Sequence, residues 1–115
     1  MEVEVAFTGI AVSGITAARA FYDRIFGRGP DIVASDDEVM WRLTDSAWLY
    51  VLVDRARAGS CLVTMAVQDL DAVLAELDVR TLAAEQVEEM DAGRKATLRD
   101  PDGNTVAIIE VFERR

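Results

Sequence analysis

Histidine is absent from this chain of 115 residues, and cysteine occurs only once, at Cys61. The lack of histidine excludes histidine metal ligands and histidine acid–base catalysis. A single cysteine cannot form a disulfide within the chain. Because no histidine can activate its thiol, we interpret Cys61 as a structural residue rather than as a nucleophile.

Basic residues are scarce as well, with 12 Lys and Arg against 21 Asp and Glu, which gives a net charge of −9. A surface of this charge does not neutralise phosphates, so we expect no nucleic-acid partner. No apolar run approaches the ~20 residues that cross a bilayer, and the acidic start Met1–Glu4 lacks the basic region of a signal peptide. We therefore expect no membrane partner and a cytoplasmic location.

What the sequence does contain is a strong turn near its end, Arg99–Asn104, with the residues Arg-Asp-Pro-Asp-Gly-Asn. Pro101 fixes φ at the first central position, and Gly103 can take a positive φ. Asp and Asn side chains can bond the backbone of the turn itself. Since apolar runs flank the turn on both sides, it predicts a β-hairpin whose last strand covers residues 104–111.

The rest of the chain predicts the order βαβββ twice. Alternating residues indicate a first strand over 3–12, and apolar residues at helical spacing indicate a helix over 16–26. Three strands follow in the first half, at 32–35, 39–43 and 47–53. After a linker, the second half predicts a strand over 61–67, a helix from Asp69 to Leu77, and strands over 82–88, 94–99 and 104–111.

The two halves match in pattern at a spacing of 55 residues, as in the pairs Phe7 and Leu62, Val12 and Val67, and Ile15 and Leu70. A single half would leave one face of its sheet uncovered, so two modules must pair. We therefore predict one α+β domain over residues 1–115. Its parts are module 1 over about 2–54, a linker over about 55–60 and module 2 over about 61–113.

Three stretches together resemble the vicinal oxygen chelate superfamily, which includes glyoxalase I, extradiol dioxygenases, fosfomycin-resistance proteins and bleomycin-resistance proteins. The first is the turn Arg99–Asn104 before the closing strand. The second is Gly9–Val12, followed by Phe21-Tyr22 and by Phe26-Gly27, and the third is Val67–Asp71 at a helix start. Their order spans essentially the whole chain. The resemblance implies two βαβββ modules whose curved mixed sheets surround a cleft.

The resemblance also identifies where a metal would be held. Metal-dependent members use His or Glu at four equivalent positions, which correspond here to Phe7, Leu62, Ala107 and either Tyr50 or Leu52. None of these residues is a ligand for a hard or borderline cation. We therefore expect no metal and no cofactor. The chain resembles the metal-free branch typified by bleomycin-resistance proteins, which hold a drug without changing it.

The predicted ligand site combines this apolar lining with aromatic residues on two neighbouring strands. Strand alternation places Phe7, Leu62 and Ala107 on one largely apolar face. The candidate ligand-binding residues are Phe7, Trp41, Trp48, Tyr50, Leu62 and Ala107. Aromatic rings there can stack on a flat ligand and attract a cationic part of it. The alternative is that these residues, the tryptophans above all, belong to the core or to a dimer interface.

These observations predict a metal-independent protein that sequesters an aromatic or cationic natural product, for self-resistance or transport, with no catalytic residue. We expect a homodimer, because an open half-barrel leaves apolar surface exposed. One alternative is a metal-independent enzyme that transfers protons through a carboxylate such as Glu110 or Asp91. Another is a domain that has lost its ligand and serves in protein association.

Charged clusters provide weaker signals. The acidic residues Glu85, Glu88, Glu89 and Asp91 are interpreted as a solvated turn that could face a cationic ligand at the mouth of the cleft. We expect Arg94 and Arg99 to pair with nearby carboxylates.

Overall fold

The computed structural model describes residues 1–112, which form two helices and eight strands. The first half contains β1 (Ala6–Val12), α1 (Ile15–Phe26), β2 (Ile32–Ser35), β3 (Glu38–Thr44) and β4 (Ala47–Val53). The second half contains β5 (Leu62–Ala66), α2 (Leu70–Val79), β6 (Gln86–Met90), β7 (Gly93–Arg99) and β8 (Thr105–Val111). The predicted α+β class and the repeated βαβββ order are therefore confirmed.

Most predicted bounds agree with the structure within two residues, but β1 and β6 differ. Strand β1 begins at Ala6, three residues later than predicted. Strand β6 covers Gln86–Met90 instead of 82–88. The apolar residue Leu82, which suggested the strand, instead packs against the core, and its amide bonds the Leu77 carbonyl at the end of α2. The module bounds remain predictions, and residue 113 lies outside the described residues.

Each half forms its own four-stranded mixed sheet. The strand orders are β1-β4-β3-β2 and β5-β8-β7-β6. The first strand of each half is parallel to the last one, and the other neighbours are antiparallel. Phe7 pairs with Trp48 in the first sheet, and Leu62 pairs with Thr105 in the second. The same topology therefore recurs in both halves.

One hydrophobic core joins the two halves on the side of the helices. The apolar face of α1 supplies the buried residues Ala18, Phe21, Tyr22 and Ile25, at the spacing that the sequence predicts. Helix α2 supplies Leu70 and Leu77. Buried residues of the sheets complete this core: Ile10, Val12, Val39, Trp41, Leu49, Val51, Val63, Ala96, Leu98, Val106 and Ile108. Each sheet thus has one face on the core and one face turned away from it.

The predicted hairpin turn joins β7 and β8. The Gly103 amide donates to the Asp100 carbonyl at 2.9 Å, with Pro101 at the first central position. Gly103 has φ of +95°, which is the left-handed conformation expected of glycine in this turn. The Asp100 carboxylate accepts hydrogen bonds from the amides of Asp102 and Asn104, both at 2.9 Å. The turn is therefore closed by its own side chains, as predicted.

Asn104 ties this turn to the first half of the chain. Its side chain is fully buried, and Oδ1 accepts from the amides of Gly59 at 2.9 Å and Cys61 at 2.8 Å. Its Nδ2 donates to the Ala11 carbonyl at 2.7 Å. One amide side chain thus links the turn, the linker and β1, and it holds the two modules in a fixed relation.

Candidate functional site

The open face is our term for the faces of both sheets that point away from α1 and α2. Strand alternation and pairing define its members, because paired residues share a face. Five of the six predicted site residues lie on it: Phe7, Trp48, Tyr50, Leu62 and Ala107. The first three belong to the first sheet, and the other two belong to the second. The two groups meet where β1 approaches β5, and the Ala11 amide lies 3.4 Å from the Cys61 sulfur there.

Trp41 does not lie on the open face, so its prediction as a cleft residue is wrong. Its side chain is fully buried in the core, where it packs against Tyr22 and Phe26 with ring centroids 6.1 and 5.4 Å apart. Its indole Nε1 donates to the Arg28 carbonyl at 3.1 Å. A register shift near the end of β3 pairs Trp41 with Leu49 and so turns it toward the helices.

Phe7, which is exposed, and Trp48, which is half-buried, form an aromatic pair on the open face. Their ring centroids are 6.1 Å apart, and the ring planes differ by 25°. Phe7 is 55% exposed although it is a large apolar residue. Two nearly parallel rings on adjacent strands provide a flat apolar surface, which suits a planar ligand.

Tyr50 lies across β1 beside this pair, and Gly9 makes this position possible. A Cβ atom built on Gly9 would lie 2.5 Å from Cζ of Tyr50, so any other residue would displace the ring. The ring therefore covers the glycine backbone and brings its hydroxyl end over β1, the strand closest to the second sheet. The sequence alone does not indicate this role of Gly9, because it depends on the pairing of β1 with β4.

Strand pairing also resolves which residue stands at the fourth ligand position of metal-dependent relatives. In the first sheet Tyr50 pairs with Gly9, and in the second sheet Ala107 pairs with Thr64. Gly9 and Thr64 occupy equivalent positions of the repeat, because they are 55 residues apart. Tyr50 rather than Leu52 is therefore the counterpart of Ala107. Among Phe7, Tyr50, Leu62 and Ala107, only the tyrosine offers an oxygen atom. This set does not fit a divalent cation, which needs several oxygen, nitrogen or thiolate donors.

The other charged side chains do not gather into a metal centre. Within residues 1–112, no three His, Cys, Asp or Glu side chains lie close enough together to hold a metal ion.

The carboxylates considered for catalysis lie away from the open face. Glu110 is on the helix side of β8, where its Oε1 accepts the Leu70 amide at 2.7 Å. That amide is at the start of α2, so Glu110 serves as a helix cap. Asp91 is exposed in the turn between β6 and β7. Neither position brings a carboxylate to the Phe7–Trp48 pair.

The acidic cluster is largely paired within its own sheet. Three ion pairs join it to basic residues: Glu85 with Arg99 at 3.3 Å, Glu88 with Lys95 at 3.8 Å and Glu89 with Arg94 at 3.9 Å. The predicted pairing of Arg94 and Arg99 with carboxylates is therefore confirmed. Because these carboxylates already face cations, they provide little net attraction for a cationic ligand.

No protein-family model matches the sequence. No curated protein sequence matches it either.

Solved structures do match. A glyoxalase/bleomycin resistance protein from Catenulispora acidiphila DSM 44928 has 34% identity and a TM-score of 0.90, and the match covers 96% of this chain and 99% of that one. Lactoylglutathione lyase from Agrobacterium tumefaciens has 20% identity and a TM-score of 0.73, with 92% of both chains covered. The antibiotic-binding protein TnmS3 from Streptomyces sp. CB03234 has 21% identity and a TM-score of 0.73, with 96% of both covered. The latter two show a shared fold.

Proposed function

This chain belongs to the glyoxalase/bleomycin resistance family of the vicinal oxygen chelate superfamily, and we propose that within it the protein binds a small aromatic molecule without a metal. The observation that carries this proposal is the stacked pair of the exposed Phe7 and the half-buried Trp48. Tyr50 adds a third ring and one hydroxyl group to the same surface. Together these groups favour a planar ligand that has a hydrogen-bonding substituent.

Metal independence is supported by the chemistry of the lining. A divalent ion beside Phe7, Leu62 and Ala107 would give up water for side chains that donate no electron pairs. Burial of such an uncompensated charge costs several kcal/mol. The same lining favours an apolar guest, since each buried methylene returns roughly 0.8 kcal/mol.

The ligand class that we propose is an aromatic natural product of the antibiotic type. Its support is the name of TnmS3, an antibiotic-binding protein of the same fold, together with the aromatic surface of this chain. Sequestration for self-resistance or transport is the corresponding role. A cationic ligand has less support, because the acidic cluster is paired with Arg94, Lys95 and Arg99.

A metal-independent enzyme is the second candidate, and one observation favours it. Tyr50 brings an ionisable hydroxyl group to the centre of the open face, where it could exchange a proton with a bound molecule. Lactoylglutathione lyase shows that the fold also occurs in an enzyme. The two candidates differ in outcome, since a binding protein returns its ligand unchanged and an enzyme does not.

Tryptophan fluorescence can test the binding proposal, because the two tryptophans lie in different environments. Trp41→Phe leaves Trp48 as the only indole, and Trp48→Phe leaves only the buried Trp41. We expect planar aromatic antibiotics to quench Trp41→Phe with micromolar affinity and to leave the emission of Trp48→Phe nearly unchanged. The titration with EDTA present should give the same affinity.

Two results would contradict the proposal. One is a requirement for added Ni²⁺, Zn²⁺, Mn²⁺ or Fe²⁺, and the other is equal quenching of both variants. Mass spectrometry of the recovered ligand separates binding from catalysis. An altered ligand mass would favour the enzyme.

The proposal extends to the oligomeric state and the cellular location of the protein. We propose a homodimer, because large apolar side chains outside the ligand surface, such as Val33 and Met90, remain exposed in one chain. We also propose a reducing cytoplasmic location, in keeping with a single unpaired cysteine. Within residues 1–112 neither helix is long and apolar enough to span a membrane.

A further inference from the structure

A cavity of about 450 Å³ lies at the junction of the two modules, and it contains none of the residues of the predicted ligand site. It lies between the end of the β3–β4 hairpin, the end of α1 and strand β5. Its apolar walls are Phe26, Leu43, Ala47, Met65, Ala66 and Val67. This volume and this lining are typical of small-molecule sites.

The cavity arises from a difference between the two halves. The β7–β8 turn has five residues between its paired ends, 100–104, and it fills the junction beside β1. The β3–β4 turn has only two, Asp45 and Ser46. The corresponding space beside β5 therefore remains open. The repeated fold closes one end of the junction and leaves the other end empty.

Two arginines, Arg28 and Arg42, line the cavity along with the apolar walls. Arg28 is held in place, because it donates to Asp31 at 2.6 Å and to the Arg42 carbonyl at 2.7 Å. Hydrogen bonds from Arg28 lower the pKa of Asp31, so this carboxylate stays ionised beside its partner. The first arginine is therefore already neutralised.

Arg42 is the cation that a ligand could use. Within residues 1–112 its guanidinium has one carboxylate partner, Asp45, at 3.0 Å. The Asp45 side chain is fully exposed and that of Arg42 is 51% exposed. An exposed pair of this kind contributes little, so exchange of Asp45 for a ligand carboxylate costs little. A planar guanidinium matches a carboxylate with two parallel hydrogen bonds.

We propose that this cavity binds a small carboxylic acid, with its apolar ring or chain between the modules and its carboxylate on Arg42. A smaller cavity of about 200 Å³ shares the walls Phe26, Met65 and Val67 and continues toward α2. This second cavity adds the apolar residues Ile25, Val73 and Ile108 and the charged residues Glu76 and Arg80, so an elongated guest would have its apolar part in the first cavity. The cavity contains none of the predicted ligand-site residues, but it borders the open face, because Arg42 pairs with Trp48 in the first sheet.

Isothermal titration calorimetry can test this proposal with two probes, 4-phenylbutyrate and 4-phenylbutanol. The two molecules share a phenyl ring and chain, but the first ends in a carboxylate and the second in a hydroxyl group. We expect the acid to bind about tenfold more tightly than the alcohol. Arg42→Gln should remove this preference and leave the affinity for the alcohol nearly unchanged. Arg55→Gln, at an exposed arginine of the linker, is the matched control and should keep the preference.

Ala66→Trp should abolish binding of both probes, because the exposed Ala66 lines the cavity and a larger side chain fills it. Amide chemical-shift mapping with the acid should move signals of residues 64–67. Three results would overturn the proposal: no binding of either probe at millimolar concentration, equal affinity for acid and alcohol, or a preference that survives Arg42→Gln. Shifts confined to Phe7 and Tyr50 would assign the probe to the open face instead.

Discussion

Tyr22 and Asp100 form a buried hydrogen bond that connects α1 with the β7–β8 turn. The Tyr22 hydroxyl donates to Oδ2 of Asp100 at 2.9 Å, and both residues are buried. Burial raises the pKa of Tyr22 far above its ordinary value, and the charge of Asp100 raises it further. Tyr22 therefore stays protonated in the folded protein at any pH at which it is stable. Its hydroxyl group donates one of the hydrogen bonds that satisfy the buried side chain of Asp100.

This pair predicts that stability falls at high pH. Below about pH 10, Tyr22 is protonated in both folded and unfolded chains and adds no pH dependence. Above about pH 10, only the unfolded chain releases this proton, so the free energy of unfolding should fall by up to about 1.4 kcal/mol per pH unit. Urea unfolding between pH 8 and 11 measures this slope.

The matched variant is Tyr22→Phe, which keeps the ring and removes the ionisable hydroxyl. It should be less stable at pH 8, because Asp100 loses a donor, and its slope above pH 10 should be smaller than that of the natural chain. Identical slopes for the two proteins would show that Tyr22 does not control this dependence.

The two helices occupy equivalent places in the repeat, but their N-termini are stabilised differently. Helix α2 has two carboxylates there, since Asp69 accepts the Ala72 amide at 3.1 Å and Glu110 accepts the Leu70 amide at 2.7 Å. Helix α1 begins after Gly14, which offers no side-chain cap, and it has no acidic residue in its first turn. The N-terminus of α1 is therefore the weaker one.

This difference predicts that Gly14→Asp stabilises the protein. Gly14 has an extended backbone with φ of −154°, and a Cβ atom there would meet nothing within 4 Å. We expect the free energy of unfolding to rise by about 0.5–1 kcal/mol, from the added cap and from the lower entropy of the unfolded chain. Chemical denaturation measures the change.

Gly29→Asp is the control, because Gly29 also has open space around its Cβ position but lies outside the helices. It adds the same charge without a helix to cap. An equal effect of the two substitutions would attribute the gain to charge or chain entropy rather than to capping.

At the scale of the whole molecule, the distribution of apolar surface is uneven. One core joins both modules on the helix side, whereas large apolar side chains remain exposed elsewhere, with Phe7 at 55%, Leu62 at 64% and Val33 at 60%. Exposed apolar residues in such numbers are typical of a surface that a partner or a ligand covers. A second copy of the chain is the partner that we propose.

A homodimer should therefore be present at micromolar concentration. Light scattering coupled to size exclusion should give about 25 kDa, twice the 12.6 kDa of one chain. Val33→Lys, at an exposed residue of β2 outside the ligand surface, should shift the mass toward that of one chain, because a buried unpaired charge opposes association. A mass of 12.6 kDa for the natural chain would reject the dimer.

The elements of this protein and their order follow from patterns in its sequence. Helical spacing placed Phe21 and Tyr22 in the core, and Pro101 with Gly103 predicted the closing hairpin. These features depend on residues that are near one another in the chain, so local preferences suffice to predict them. The apolar lining of the cleft followed in the same way from alternation along single strands.

Which side chains share a face depends on the register between strands, which the structure shows. The β3–β4 turn pairs Thr44 with Ala47, and an unbroken ladder from that pair would place Trp41 opposite Tyr50. The register shifts by one residue between Arg42 and Thr44, so Trp41 pairs with Leu49 instead. The side chain of Trp41 therefore points into the core. Such a shift reverses the faces of a whole strand. In the core, Trp41 packs against Tyr22 and Phe26 of α1, which are distant from it in the chain, so this contact is a property of the tertiary structure.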